Sequence, residues 1–364
     1  MTLDVWVRST VFLGNGARQA TERLHSEGRR GPRTLQIQKQ APPLPAAKTG
    51  MESPCIPKEE SCVDMFRTIL AATDFSDDAT NAVYRAAFLA AEQQGRLELL
   101  HVLSETSLKA VRELIPSHGD AEMKLIDDAQ RMLDALGSRV AEDTRMAAVS
   151  RIAIGAVLDE ILSAAEQADL LVLGAHGSNR WREMFLGTTA DRLLRMCTRP
   201  VLVIKRPPET SYRRALVPVD FSPHSIAALN TAMRVAPNAD IMVVHASAVP
   251  FEGMLRQGGV LDDEIERFRG QAQQEAMSRI SSLIDEVAEG SRRLFRFVEL
   301  EDAARLILAK EESFGADLIV MGKHGKNVVE EMLLGSVTRR ILSDSKCDVL
   351  IVHEGSTATG SPAA

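Results

Sequence analysis

The sequence predicts an α/β chain made of two tandem copies of one parallel-sheet domain, behind an N-terminal segment that stands outside the fold. Three observations carry this expectation. The 364 residues suit two domains of ordinary size better than one. Segments of the first half recur in the second at a nearly constant spacing. Within each half, short apolar runs of strand character alternate with amphipathic helical stretches, as in a parallel sheet covered by helices on both faces.

The recurrence is visible in three places. Residues 68–76 read TILAATDFS and residues 214–222 read RALVPVDFS, each an apolar run ending in Asp-Phe-Ser. Residues 97–102, LELLHV, match residues 241–246, IMVVHA, each closing near a histidine, His101 and His245. Residues 168–177, ADLLVLGAHG, match residues 316–325, ADLIVMGKHG. The aspartates Asp74 and Asp220 lie 146 residues apart and the glycines Gly174 and Gly322 lie 148 apart. A spacing held across a whole domain indicates duplication.

Strands are expected near 68–73, 97–102, 149–154, 169–173 and 200–204 in copy one. Copy two repeats them near 214–219, 240–245, 294–299, 317–321 and 348–352. The stretch 77–93 places Ala79, Val83, Ala86, Ala87 and Ala90 on one helical stripe. Right-handed crossovers follow from chain chirality. The 45% of hydrophobic residues supplies a core for each domain, and with aromatics at 4% that core must come from Val, Ile, Leu and Ala. The runs 200–204 and 349–352 are sheet-edge candidates that need covering.

Composition also excludes. A net charge of −7 gives no basic surface for nucleic acid. No apolar run approaches a membrane span, and no secretory leader pattern is visible. The cysteines Cys55, Cys62, Cys197 and Cys347 fit no zinc spacing and read as buried thiols of a reducing cytoplasm.

Residues 1–50 differ from the rest. They hold eight Lys/Arg and three acids, a net +5, which leaves −12 on the remainder. Gly31-Pro32, Pro42-Pro43 and the lack of a sustained period argue against a packed core over residues 1–64. The segment reads as an inert tail or the product of an upstream start, with Met51 or Met65 as the true first residue. A basic arm for an acidic partner and an organelle transit peptide are the other readings. Residues 65–207 and 212–355 are the expected domains, and residues 356–364 a disordered tail.

The chemistry lies after the fourth strand of each copy. Gly174-Ala175-His176-Gly177 is followed, after nine intervening residues, by Gly187-Thr188-Thr189. Gly322-Lys323-His324-Gly325 is followed at the same spacing by Gly335-Ser336-Val337. Such glycines permit positive φ and let backbone N–H groups approach an anion. A hydroxyl after the third glycine can cap the next helix and donate to phosphate, beside the helix's positive end. Ligands of open α/β sheets bind at this carboxyl edge. Asp74 and Asp220 end strand one, where a carboxylate can accept from a ribose hydroxyl, hold a metal near phosphates, or cap the next helix, a task open to Ser76 and Ser222 instead. His176 and His324 either touch phosphate or are solvated, and His101 and His245 read as satisfied core histidines. Neither copy has the P-loop motif, and no triad, zinc pair or paired-carboxylate signature stands out.

These motifs resemble the universal stress protein family in its ATP-binding, tandem-domain form, over about residues 65–355. The resemblance implies a Rossmann-like, adenine nucleotide α-hydrolase-like sheet of strand order 3-2-1-4-5, with adenine near the ends of strands one and two and phosphates on the glycine loop. It assigns to copy one Asp74, the backbone of Val102, Gly174, Gly177, Gly187, Thr188 and Thr189. It assigns to copy two Asp220, the backbone of Ala246, Gly322, Gly325, Gly335, Ser336 and Val337. The implied ligand is ATP, alone or with Mg²⁺. The implied role is a nucleotide-dependent regulatory module of the stress response, not an enzyme. A weak Mg-dependent ATPase and a nucleotide-free interaction scaffold are the alternatives. The two domains would pair as a pseudo-dimer, and a homodimer of chains is a further expectation. Copy two departs from the family pattern in Val298-Glu299-Leu300-Glu301, an acidic rim set to repel phosphate where copy one has Gly155. It also has Asp348 where copy one keeps Pro200, while copy one departs in Ala72, where copy two keeps Pro218.

Overall fold

The computed structural model describes residues 66–114, 121–177, 186–247, 252–287, 293–325 and 333–353. The expectations for residues 1–64 and 356–364, including Cys55 and Cys62, lie outside the described residues.

Copy one runs β1 (Thr68–Ala72), α1 (Asp77–Glu92), β2 (Arg96–Ser104), α2 (Glu105–Leu114), α3 (Ala121–Thr144), β3 (Ala148–Gly155), α4 (Val157–Ala165), β4 (Leu170–Gly174), α5 (Thr188–Met196) and β5 (Val201–Ile204). Copy two runs β6 (Arg214–Pro218), α6 (Pro223–Val235), β7 (Asp240–Ser247), α7 (Glu252–Gln257), α8 (Asp262–Val287), β8 (Leu294–Leu300), α9 (Ala303–Phe314), β9 (Leu318–Gly322), α10 (Ser336–Asp344) and β10 (Asp348–Val352). The alternation of strand and helix holds in both halves, and the five residues of the expected stripe on α1 are all buried.

The ten strands form one sheet of order β3-β2-β1-β4-β5-β10-β9-β6-β7-β8. Each copy therefore has the order 3-2-1-4-5, parallel throughout. The fifth strands meet antiparallel, with Val349 opposite Val203, Leu350 opposite Leu202 and Ile351 opposite Val201. Both runs read as uncovered edges are thus central and fully buried.

Alternation along a strand divides its side chains between two faces. Ile69 and Ala71 pack with residues of α1, α3, α6 and α8, while Leu70 and Ala72 pack with residues of α4, α5, α9 and α10. Each face carries one apolar cluster that runs through both copies. A carboxylate fixes the start of the first strand in each half. Asp169 Oδ2 accepts from the N–H groups of Arg67 and Thr68, at 2.8 and 2.9 Å. Asp317 accepts from Arg213 and Arg214 in the same way, at 2.8 and 3.0 Å.

Asp348 does not border a site. It opens β10 in the center of the sheet, 1% exposed. Its carboxylate accepts from Lys205 N–H at 2.9 Å and from Tyr212 Oη at 2.7 Å, and Arg85 Nε stands 3.4 Å away. Arg85 belongs to α1, so the residue that replaced a proline clasps copy two to copy one. Burial raises the pKa of Asp348, while the Lys205 amide, Arg85 and Tyr212 oppose the rise. Two lysines cap helix ends across the same seam. Lys205 Nζ donates to Leu342 O and Ser345 O beyond α10, each at 2.8 Å, and Lys323 Nζ donates to Arg195 O in α5 at 2.5 Å.

Candidate functional sites

The sites begin with a strained turn. After β1 and β6 the chain must reverse into a helix within four residues. Phe75 and Phe221 do this with left-handed backbones, φ 64° and 62°, a conformation costly for a bulky residue. Each ring rests on the histidine of the next strand, Phe75 on His101 at 4.4 Å and Phe221 on His245 at 4.7 Å. Each of those histidines in turn hydrogen-bonds a carbonyl beside the aspartate, His101 Nδ1 with Thr73 O at 2.8 Å and His245 Nδ1 with Val219 O at 2.7 Å. They buttress the turn, in keeping with a structural reading. Ser76 and Ser222 N-cap α1 and α6. Asp74 and Asp220 each spend one oxygen, Oδ1, on the N–H of that serine, at 3.1 and 3.0 Å. Helix capping is therefore the task of the serines.

The other carboxylate oxygen faces the glycine loop. A Cβ on Gly177 would lie 2.8 Å from Asp74 Oδ2, and one on Gly325 would lie 2.7 Å from Asp220 Oδ2. A Cβ on Gly174 would meet the backbone of Asp78 at 2.7 Å, and one on Gly322 would meet His224 Cβ at 2.7 Å. These glycines are required by close approach. The expectation of positive φ is corrected here: among the described residues only Gly259 and Gly315 are glycines with positive φ. Space, not backbone handedness, selects glycine in both loops.

The expectation that a loop hydroxyl caps the next helix is also corrected. Gly187 and Gly335 are themselves the N-cap residues of α5 and α10, and neither helix has a side-chain cap. Thr188 and Ser336 already stand inside the first turn. The loops are closed instead by backbone bonds, Gly187 N–H to Ala175 O at 2.9 Å and Gly335 N–H to Lys323 O at 3.1 Å. The first-turn N–H groups of α5 and α10 consequently face the cavities without a side-chain competitor among the described residues.

All seven candidate residues of copy one line a single cavity of about 310 Å³: Asp74, Val102, Gly174, Gly177, Gly187, Thr188 and Thr189. The seven of copy two, Asp220, Ala246, Gly322, Gly325, Gly335, Ser336 and Val337, line a second cavity of about 730 Å³. Both volumes fall in the range of roughly 300–1,000 Å³ usual for small-molecule sites. Both cavities open at the carboxyl ends of the first and fourth strands, where the strand order reverses. Each has an apolar wall, formed by Val157 and Ile161 in one and by Leu306 and Ile307 in the other.

The loop histidines differ. His176 Nδ1 lies 2.9 Å from Asp78 Oδ2. His324 is 8% exposed and meets the His224 ring edge-on at 5.5 Å, because His224 occupies the place of Asp78. Near them His353 is half-buried, its pKa lowered to about 3 by burial and by Lys323, His224 and His324. Thr338 lies outside the residues that the motif and the resemblance single out. Its buried hydroxyl donates to Gly322 O at 3.1 Å and ties the first turn of α10 to the end of β9. The hydroxyl run Ser336-Val337-Thr338 was the available signal.

Two tandem doubly wound domains, each with a cavity walled by an aspartate, a glycine loop and a helix N-terminus, define an α/β protein with a small-molecule-sized cavity in each copy. The model of the universal stress protein family matches residues 65–205 and again 211–353, and the chain belongs to that family. A universal stress protein of Mycobacterium tuberculosis is 26% identical over 306 residues, covering 79% of this chain and 97% of its own length. One of Methanocaldococcus jannaschii is 33% identical over 152 residues, covering 40% of this chain and 85% of its own length. The crystal structure of a universal stress protein from Archaeoglobus fulgidus superposes with a TM-score of 0.56 at 20% identity, covering 79% of this chain and 99% of that one, a likeness of fold. Among the described residues no helix is long and apolar enough to cross a membrane.

Proposed function

We propose that the chain binds an adenine nucleotide, ATP in the first instance, in each of its two cavities, and that occupancy changes the surface it offers to partners. The observation that supports this reading most is the convergence of every candidate residue of each copy on one cavity. The apolar wall suits a base, the carboxylate of Asp74 or Asp220 suits a ribose hydroxyl, and the amides opening α5 and α10 suit phosphate. The residues fit such a ligand, since Gly177 and Gly325 let the loop backbone lie against Asp74 and Asp220 with no side chain between them. Within this reading the protein is a regulatory module and not an enzyme, a pseudo-dimer joined through its fifth strands, acting in the cytoplasm. Cys197 and Cys347 are free and buried, in keeping with a reducing compartment.

The test is to denature protein purified from cells and identify the released nucleotide by chromatography, then to titrate ATP into wild type and into Gly187→Asp and Gly335→Asp. An aspartate at an N-cap supports the helix while placing a carboxylate where phosphate would sit. Each variant is expected to keep the fold and lose one binding event. Absence of released nucleotide together with absence of ATP-dependent heat overturns the reading. Steady phosphate release that disappears in Asp74→Asn would replace the regulatory module with an ATPase.

A further inference from the structure

Resting on nucleotide binding as read above, we propose that the two sites select different phosphate chains: the first takes a nucleoside triphosphate through Arg192, and the second favours a nucleoside monophosphate. The cavity of copy one does not end at Thr188 and Thr189. A recess of about 270 Å³ continues past them, lined by Ala156, Val157, Leu158, Thr188, Thr189 and Arg192. It shares Val157, Thr188 and Thr189 with the main cavity. A phosphate held at the start of α5 would thus have room for two more along the first helical turns. Among the described residues Arg192 is the only charged one lining that recess. It is exposed, and no ion pair engages it among the described residues. Its acidic neighbour on the helix, Asp191, is held by Arg195 at 2.9 Å.

The equivalent arginine in copy two is already occupied. Arg340 stands five residues after Gly335, as Arg192 stands five after Gly187. Arg340 Nη1 lies 3.7 Å from Asp302 Oδ1, and Arg340 Nε lies 3.5 Å from Asp344 Oδ2. Copy one replaces both carboxylates with apolar residues. Ala156 is the N-cap of α4 where Asp302 caps α9, and Met196 ends α5 where Asp344 ends α10. Exposed pairs of this kind contribute little stability, yet they cancel the charge that a terminal phosphate would seek. Glu299 and Glu301 stand close by, Glu299 in register with the cavity residue Ala246 and Glu301 in the place of Gly155, but neither lines the cavity. Copy one has an acid nearby as well, Glu160, but it packs against Gly155 and does not line the recess. A guanidinium–phosphate contact is a charge-assisted bond that commonly contributes roughly ten- to a hundredfold in affinity.

The test is calorimetric titration of the full chain with ATP, ADP and AMP. A Gly335→Asp background isolates the first site and a Gly187→Asp background the second. In the first site, Arg192→Gln is expected to lower ATP affinity about tenfold or more and to leave AMP affinity unchanged. A merely structural arginine would move both ligands or neither. In the second site, Asp302→Ser keeps a capping oxygen while removing the charge, and ATP affinity is expected to rise toward that of the first site. Equal ATP affinity with and without Arg192, or wild-type sites that do not differ in their ATP-to-AMP preference, overturns the proposal and leaves nucleotide binding standing. Absence of heat with all three nucleotides overturns both. Unfolding curves of each variant separate loss of binding from loss of fold.

Discussion

The two copies share a backbone and differ in what they do with charge. In copy one the loop after β4 is lightly furnished: Ala175 fills space, His176 meets Asp78, and Arg192 borders an open recess. In copy two the same loop serves the seam. Lys323 reaches the end of α5, and His324 and His353 crowd beside it. The difference teaches that duplication fixed the scaffold, while the seam between the copies claimed side chains from one of them. Residues that look like a weakened site in copy two are in part residues recruited to hold the halves together.

The largest test of that comparison is Asp348→Ala. It leaves Arg85, whose side chain is 7% exposed, without its carboxylate, and removes an acceptor from Tyr212. Loss of one partner of a buried pair costs about 3–5 kcal/mol, and denaturant unfolding should show a loss of that order. A loss below 1 kcal/mol would mean the clasp is not what joins the copies.

Acid titration sharpens the comparison next. His353 follows β10 as Lys205 follows β5. The pKa of His353 is about 3 in the fold against an ordinary 6.5, so the unfolded chain binds the proton more tightly. Its contribution to stability is fully present above pH 6.5 and falls as pH drops toward 3, by up to about 2 kcal/mol near pH 5. His353→Gln should flatten that limb of the curve. Lys205, lowered to about 8 by burial from an ordinary 10.5, works in the same sense at higher pH. Stability rises with pH between 8 and 10.5, and Lys205→Met should remove that slope.

Gly177→Ala and Gly325→Ala probe the glycine loops in parallel. Each places a methyl group within 3 Å of the aspartate in its own cavity. Each should weaken nucleotide binding about tenfold in its own copy and leave the other copy intact, read as one altered and one unaltered phase in calorimetry. Equal loss at both sites would mean that the cavities are not independent. The smallest effect belongs to Thr338→Val, which deletes one buried hydroxyl donor and should cost about 1 kcal/mol. Ala190→Thr, the reciprocal change in copy one, tests whether that site gains by it.

Much of this was legible in the sequence. A spacing held between Asp74 and Asp220, and between Gly174 and Gly322, imposed the duplication. The alternation of buried runs imposed the parallel strands, because a strand covered on both faces has no polar side to display. The fourteen candidate residues that the family resemblance implies line two cavities, seven in each. What escaped depends on contacts across the sheet. Sequence spacing does not tell that Asp348 meets Arg85, 263 positions earlier, or that Lys323 leaves its own loop for another helix. Of the two reasons the motif offers for the loop glycines, positive φ does not hold, and Asp74, Asp220 and the first turns of α1 and α6 press close to them. Left-handed Phe75 and Phe221 escaped because an aromatic residue is a poor local signal for that conformation.

Two cavities, each walled by backbone amides and one carboxylate, should hold one nucleotide apiece. Equilibrium dialysis of the nucleotide-free chain against labelled AMP counts them directly. Saturation at two per chain, falling to one in either Gly187→Asp or Gly335→Asp and to none in the double variant, is the expected result. Saturation unchanged by the double variant would contradict it, since the ligand would then be bound elsewhere on the protein.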